Sequence, residues 1–170
     1  LAPNSKGMCS LVAIKLADAL KLTHEFQDVE IFFATREHIP FELGAKLVRQ
    51  AGYNLIGHSG LEPNSKFELR SIIQAQPSIV IFDRLETNAD LVMGLKNSGI
   101  FVVNFDDLGQ GQNYADLAIH SLLQNVEPKQ NTFIGYKYLI LISDEIDRSK
   151  TRHVASKAFV SFGGYDNRQL

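Results

Sequence analysis

Cysteine occurs once, at Cys9, and tryptophan not at all. A single thiol closes no internal disulfide and supplies no cysteine-rich zinc site, so a disulfide framework and a structural zinc ribbon are both excluded, and a reducing, cytoplasmic setting is expected. Long hydrophobic runs are missing as well. The longest apolar stretches, residues 78–82 and 138–142, fall far short of the roughly 18 residues that span a bilayer, and no charged-then-apolar leader opens the sequence, so no membrane span is expected. Charge of one sign is not in excess: 17 Lys+Arg stand against 19 Asp+Glu, a net charge of −2, which argues against a basic nucleic-acid-binding surface. Low-complexity tracts and solenoid repeats are absent. What remains, 170 residues of which 45% are apolar, fits one ordinary domain or one domain with a stub of a second.

What is present is a rhythm. Residues 29–35 (VEIFFAT) read as a strand, residues 41–51 as a helix stopped by Gly52, and the sequence of events then repeats. Strands are predicted at 53–56, 78–83 and 100–105, and helices at 67–75 and 89–97, the last closed by Ser98 and Gly99. Helices of this length between strands are crossover connections, and the runs IVIF and FVVNF lack clean alternation, as befits buried parallel strands. The pattern predicts an α/β fold with a doubly wound, mainly parallel Rossmann-like sheet and helices on both faces.

Beyond Asp107 the rhythm loosens. Gly109 to Asn113 make a polar, glycine-rich loop before a short candidate strand at 115–119, and residues 143–152 are densely charged, like a linker. An apolar strand and glycine turn, Ala158-Phe159-Val160-Ser161-Phe162-Gly163-Gly164, then resembles the opening of a new βα unit. At the other end, a helix predicted at 10–22 has no strand before it, although every later helix has one. Both ends therefore read as cut.

In open α/β sheets ligands bind outside the carboxyl ends of the strands, which directs attention to residues just past each one. Asp83, Asp106 and Asp107 are candidate acid/base or sugar-hydroxyl-binding groups there; capping a turn is the other common role of such aspartates. Residues 3–10 (PNSKGMCS) read as a polar loop running into a helix, so Gly7, Cys9 and Ser10 are candidates to meet a substrate at a helix N-terminus. An ordinary capped helix start fits the same residues. The loop is neither a Walker motif nor G-x-G-x-x-G, since residues 8–16 contain no further glycine. His38 and His58 lie in loops at this edge and titrate near neutral pH, although loop histidines are commonly incidental. H-E-x-x-H, G-x-S-x-G and C-x-x-C are all missing, so zinc hydrolysis and a nucleophile elbow are not supported. No metal or cofactor is expected.

Taken in order, Leu16-Ala17-Asp18-Ala19-Leu20, Asp83 after IVIF, Phe105-Asp106-Asp107-Leu108, Ala115-Asp116-Leu117, Gly135-Tyr136-Lys137-Tyr138-Leu139 and the closing Phe159-Val160-Ser161-Phe162-Gly163-Gly164-Tyr165-Asp166 resemble the PseG/SpsG family. That family comprises UDP-sugar hydrolases of pseudaminic acid synthesis and related glycosyltransferase-like proteins of surface and spore-coat polysaccharides. The resemblance covers nearly the whole chain, and SFGG-x-D is its most specific piece. It implies a GT-B architecture, with residues 1–152 as the N-terminal, acceptor-side Rossmann-like domain. Residues 153–170 would then be a linker and the start of a second Rossmann-like domain that the sequence lacks. The implied ligand is a UDP-sugar or other nucleotide-sugar, contacted through Ser161, Gly163, Gly164 and Asp166 as well as the N-terminal loop. The isolated fragment would be inactive, and its unpaired apolar end would favour a homodimer. The sequence departs from the family at its opening G-x-G-H-x-x-R, where Cys9 or Ser10 replaces the expected basic histidine, and at Asp-x-Tyr, which here is Asp83-Arg84-Leu85. Three readings therefore stand open: half of a nucleotide-sugar hydrolase or transferase, a non-catalytic sugar-binding or scaffold module that has lost its histidine, and a Rossmann-like domain alike in architecture alone.

Overall fold

The structure is a computed structural model, which describes residues 6–23, 28–37, 41–57, 62–122, 127 and 129–140. The second-domain stub at 153–170, with Ser161, Gly163, Gly164 and Asp166, lies outside the described residues, as do His38 and His58. The elements run α1 (Lys6–Leu22), β1 (Phe32–Thr35), α2 (Glu42–Gln50), β2 (Asn54–Gly57), α3 (Lys66–Gln74), β3 (Ile79–Asp83), α4 (Ala89–Asn97), β4 (Phe101–Phe105), β5 (Leu117–His120) and β6 (Thr132–Ile134), with a 3-10 turn at Gln110–Asn113 between β4 and β5.

Local chemistry sets these limits. Ser65 Oγ accepts from the Glu68 amide at 3.0 Å and Asn88 Oδ1 from the Leu91 amide at 2.8 Å, so α3 and α4 each begin on a side-chain cap. Gly52 and Gly99, at φ +81° and +79°, end α2 and α4 in the left-handed conformation that glycine adopts without a Cβ penalty. Helix α1 begins at Lys6 and not at Ser10, which corrects the loop expected at its start. Gly7, Cys9 and Ser10 are helical positions; one glycine costs a helix only about 1 kcal/mol, a deficit that the good helix formers after it make up.

Every strand pairing is parallel, as the crossover lengths require. Ile79 to Asp83 of β3 run beside Phe101 to Phe105 of β4 in register, β4 pairs with β5, and β5 with β6. One expectation is corrected. The described strands form a two-stranded sheet, β1-β2, and a four-stranded sheet, β3-β4-β5-β6, in place of one continuous sheet. Each has its own core. In the first, Ile14 and Ala17 of α1 meet Val48 of α2 and Tyr53, with Phe33 and Leu55 packed against them. In the second, Ile72, Leu91, Val92 and Leu95 of α3 and α4 cover Phe82 and Val102. Among the described residues helices lie against one face of the larger sheet, where both were expected, and the other face leaves Ile79, Ile81, Phe101 and Phe133 exposed.

Candidate functional site

A polar frame locks the loops that follow β3 and β4. Arg84, just past β3, pairs with buried Glu68 of α3 at 2.8 Å and stacks its guanidinium 4.4 Å from the Phe82 ring centre. Glu68 also accepts the Asn64 amide at 2.6 Å, and Asn64 Oδ1 accepts the Asn88 amide at 2.9 Å. Arg84 is thus a clamp between α3 and the β3–α4 loop.

The glycine-rich stretch after Asp107 belongs to the same frame. The Gly111 amide donates to Thr87 O at 2.7 Å, and a Cβ on Gly111 would come within 2.8 Å of the Thr87 and Asn88 carbonyl oxygens. A Cβ on Gly109 would strike the Thr87 backbone itself. These glycines therefore permit one loop to lie on another.

Asp107 closes the frame. Fully buried, it accepts from the Thr87 amide at 3.0 Å, from the Gly109 amide at 2.7 Å and from Asn104 Nδ2. Three donors and no exposure make this carboxylate a staple between loops. Asp116 acts similarly, accepting from the Val102 amide at 2.9 Å and pairing with Lys96 at 2.7 Å. Although burial opposes its charge, Lys96 and the Val102 amide hold its pKa below the ordinary carboxylate value.

The remaining polar groups converge at the carboxyl ends of β3, β4 and β5, which the parallel register aligns. Asp83 ends β3, Asp106 follows β4, and His120 and Ser121 end and follow β5. Asp106 adopts φ +45°, a left-handed conformation that aspartate tolerates better than most residues. It is held there by Ser121 Oγ, which donates at 2.6 Å, and by the Leu122 amide at 2.9 Å.

Asp83 is treated differently. Its Oδ2 is buried with no hydrogen-bond partner among the described residues. Burial, and then the nearby negative charge of Asp106, push its pKa up to about 6. Among the described residues His120, 1% exposed, also finds no partner for either ring nitrogen. Its pKa is pushed below 6.5, because burial outweighs the attraction of Asp106 and Asp107, so its imidazole is neutral at pH 7. Asn104, on the same sheet face as His120, leaves Oδ1 buried and unpaired among the described residues.

The edge thus offers a protonatable carboxyl near neutral pH and an anchored carboxylate, while the His120 imidazole lies buried on the sheet face opposite to Asp83. The chain matches no protein-family model, no curated protein and no solved structure. The site's meaning is therefore read from its chemistry. Among the described residues no three His, Cys, Asp or Glu side chains are grouped to hold a metal ion, and no helix is long and apolar enough to cross a membrane. Surface hollows occur elsewhere: one of about 390 Å³ is lined by Pro77, Ser78, Gly99 and Ile100 at the opposite ends of β3 and β4.

Of the sequence candidates, Asp83 and Asp106 come together, Asp107 turns inward, and Gly7, Cys9 and Ser10 take helical backbone positions at the start of α1. His120 and Ser121 were not foreseen. The signal was there: a short strand at 115–119 has His120 and Ser121 directly past its carboxyl end, where the strand-end rule points.

Proposed function

We propose that this chain is the N-terminal half of a GT-B-like protein that processes nucleotide-sugars in surface polysaccharide or nonulosonic acid biosynthesis, and that the Asp83 edge receives the sugar. The observation that carries this reading is the half-buried Asp83, whose Oδ2 is buried without a partner among the described residues and whose pKa is raised to about 6, beside Asp106 at the carboxyl ends of parallel strands. Buried carboxylates without donors are costly and concentrate where proton transfer is needed. The ordered likeness to PseG/SpsG proteins supplies the substrate class, a UDP-sugar.

In hydrolysis, a water oxygen bonds to the anomeric carbon as the bond to the diphosphate oxygen breaks. Asp83, ionised above its pKa, takes the water's proton; Asp106, anchored by Ser121 and Leu122, fixes the negative field around it. With an acceptor hydroxyl in place of water the same step is transfer. Diphosphate departure calls for backbone N–H groups and a helix N-terminus, which the second domain and its Gly163-Gly164 turn would furnish. On this reading the isolated chain is inactive and the protein works in the cytoplasm, where nucleotide-sugars are made.

A second reading, a non-catalytic sugar-binding module, draws on two observations: Cys9 or Ser10 in place of the family's histidine, and the commitment of Asp107 to loop stapling. UDP release and UDP-sugar affinity, measured on the full-length protein, separate the two. Asp83→Asn is expected to lower release by about 10²- to 10⁴-fold with affinity nearly unchanged. Affinity without release favours the binding module, release that survives Asp83→Asn removes Asp83 from the chemistry, and no affinity for any UDP-sugar ends the nucleotide-sugar reading.

A further inference from the structure

Two arginines occupy equivalent places in the chain. Arg36 is the first residue past β1 and Arg84 the first past β3. Each lays its guanidinium on a phenylalanine, Arg36 at 3.5 Å from the centre of the Phe41 ring and Arg84 at 4.4 Å from that of Phe82. Their side chains are 13% and 15% exposed. A guanidinium taken this far out of water keeps its charge and carries five N–H donors, so its surroundings must supply oxygen acceptors.

Arg84 finds them within the fold. Its Nη1 donates to buried Glu68 at 2.8 Å, its Nε to Thr87 Oγ1 at 3.3 Å and its Nη2 to Asn64 Oδ1 at 3.5 Å, so every nitrogen of the fork has a partner. Arg36 does not match this. Among the described residues its guanidinium donates only once, from Nη1 to Glu62 Oε2 at 3.1 Å. The Glu62 side chain is 60% exposed, and a pair with so exposed a partner is weak, because water competes for the carboxylate. Nε and Nη2 find no acceptor among the described residues, and neither is sealed from water.

Arg36 stands at the carboxyl end of a parallel strand, the edge where open α/β sheets take their ligands. The loop that carries Glu62 also reaches the loop past Asp83, where Asn64 donates to Glu86 O at 3.2 Å. We propose that Arg36 is an oxyanion-binding residue, whose guanidinium exchanges Glu62 for a phosphate or carboxylate group of the ligand. Phe41 fixes the plane of the fork, and Nε with Nη2 forms the two-donor side that such a group accepts in parallel. Glu62 is a placeholder that neutralises the cation until a better acceptor arrives. This holds whether or not the ligand is a nucleotide-sugar.

The test follows the side-chain Nε–H signals of Arg36 and Arg84 by NMR in the 170-residue chain, titrated with sodium phosphate or sodium acetate against sodium chloride at equal ionic strength. One or both oxyanions are expected to shift Arg36 with a dissociation constant in the millimolar range and to leave the fully partnered Arg84 in place; the tighter of the two tells phosphate from carboxylate. Glu62→Gln removes the competing charge and should tighten binding by roughly five-fold, the Coulomb effect of one unit charge at about 4 Å in water. Arg36→Gln should abolish binding, and Arg36→Lys, which keeps the charge without the fork, should weaken it several-fold. No oxyanion-specific shift of Arg36, or an equal shift of Arg84, overturns the proposal. A Glu62→Gln protein that loses stability without gaining affinity makes the pair a structural tie and overturns it equally, in a variant that keeps Arg36 itself intact.

Discussion

The Asp83 carboxyl should cost the protein stability at neutral pH, and its removal should restore it. Burial and Asp106 raise its pKa from 3.8 to about 6 in the folded chain. The folded state therefore holds this proton more tightly than the unfolded state does. Between about pH 4 and pH 6 folded Asp83 is protonated while unfolded Asp83 is not, so its contribution to stability is present at the acid end and is lost as pH rises through 6. A displacement of about two units corresponds to about 3 kcal/mol at 1.36 kcal/mol per unit. An asparagine side chain has nearly the same shape as the aspartate and carries no charge at any pH. Asp83→Asn should therefore match the natural protein near pH 4 and exceed it by up to about 3 kcal/mol at pH 8, a rise in Tm of roughly 6–10 °C for a chain of this size.

The assay is urea or thermal unfolding of both proteins at pH 4.5, 6 and 8, read as the difference between them so that other titrating groups cancel. Adding Asp106→Asn should shrink the pH 8 advantage, since part of the penalty is the charge of Asp106. If Asp83→Asn is destabilising by the same amount at every pH, the carboxylate is satisfied in the folded protein, and both its poise and the proton-transfer role drawn from it fail. A gain of stability together with a loss of UDP release in the full-length protein is the expected signature of a group kept for function.

His120 titrates with the opposite sense: burial depresses its pKa below 6.5, so its contribution is present above that value and lost as pH falls below it, and His120→Leu should flatten the stability–pH curve below pH 6.5. Arg84→Met leaves Glu68 as a buried charge without its ion-pair partner and should cost about 3–5 kcal/mol in chemical denaturation, against a smaller loss for the paired replacement Arg84→Met with Glu68→Gln. Gly109→Ala forces a methyl group onto the Thr87 backbone and should cost about 1–3 kcal/mol, with the loss appearing in the unfolding midpoint and no change in any ligand affinity measured for the folded protein.

The sequence made the rhythm of this fold legible because each helix carries its own punctuation. Gly52 and Gly99 stop α2 and α4, apolar runs without alternation mark β3 and β4, and every crossover between paired strands produces a parallel ladder. Strand order is another matter. Hydrogen bonding between strands far apart in sequence is decided by which edges meet, so the break between β1-β2 and the larger sheet had no local sign. β6, three residues long and set between polar turns, was likewise too short to show a period.

The site shows the same division at the scale of single residues. Asp106 and Asp107 are adjacent, identical in type and equally placed past β4, so every sequence rule treats them alike. The backbone separates them: a left-handed turn at Asp106 leaves its carboxylate at the sheet edge with Ser121, and turns Asp107 under the loops toward Thr87 and Asn104. Thr87 lies 20 residues away in sequence, beyond the reach of any local motif. Asp83 is singled out by what it lacks, since a hydrogen-bond donor for Oδ2 would have lowered its pKa and made it one more staple. Placement at strand ends follows from the βα rhythm, but the difference between a carboxylate that holds the fold and one held ready for chemistry lies in its donors, which only the tertiary structure assigns.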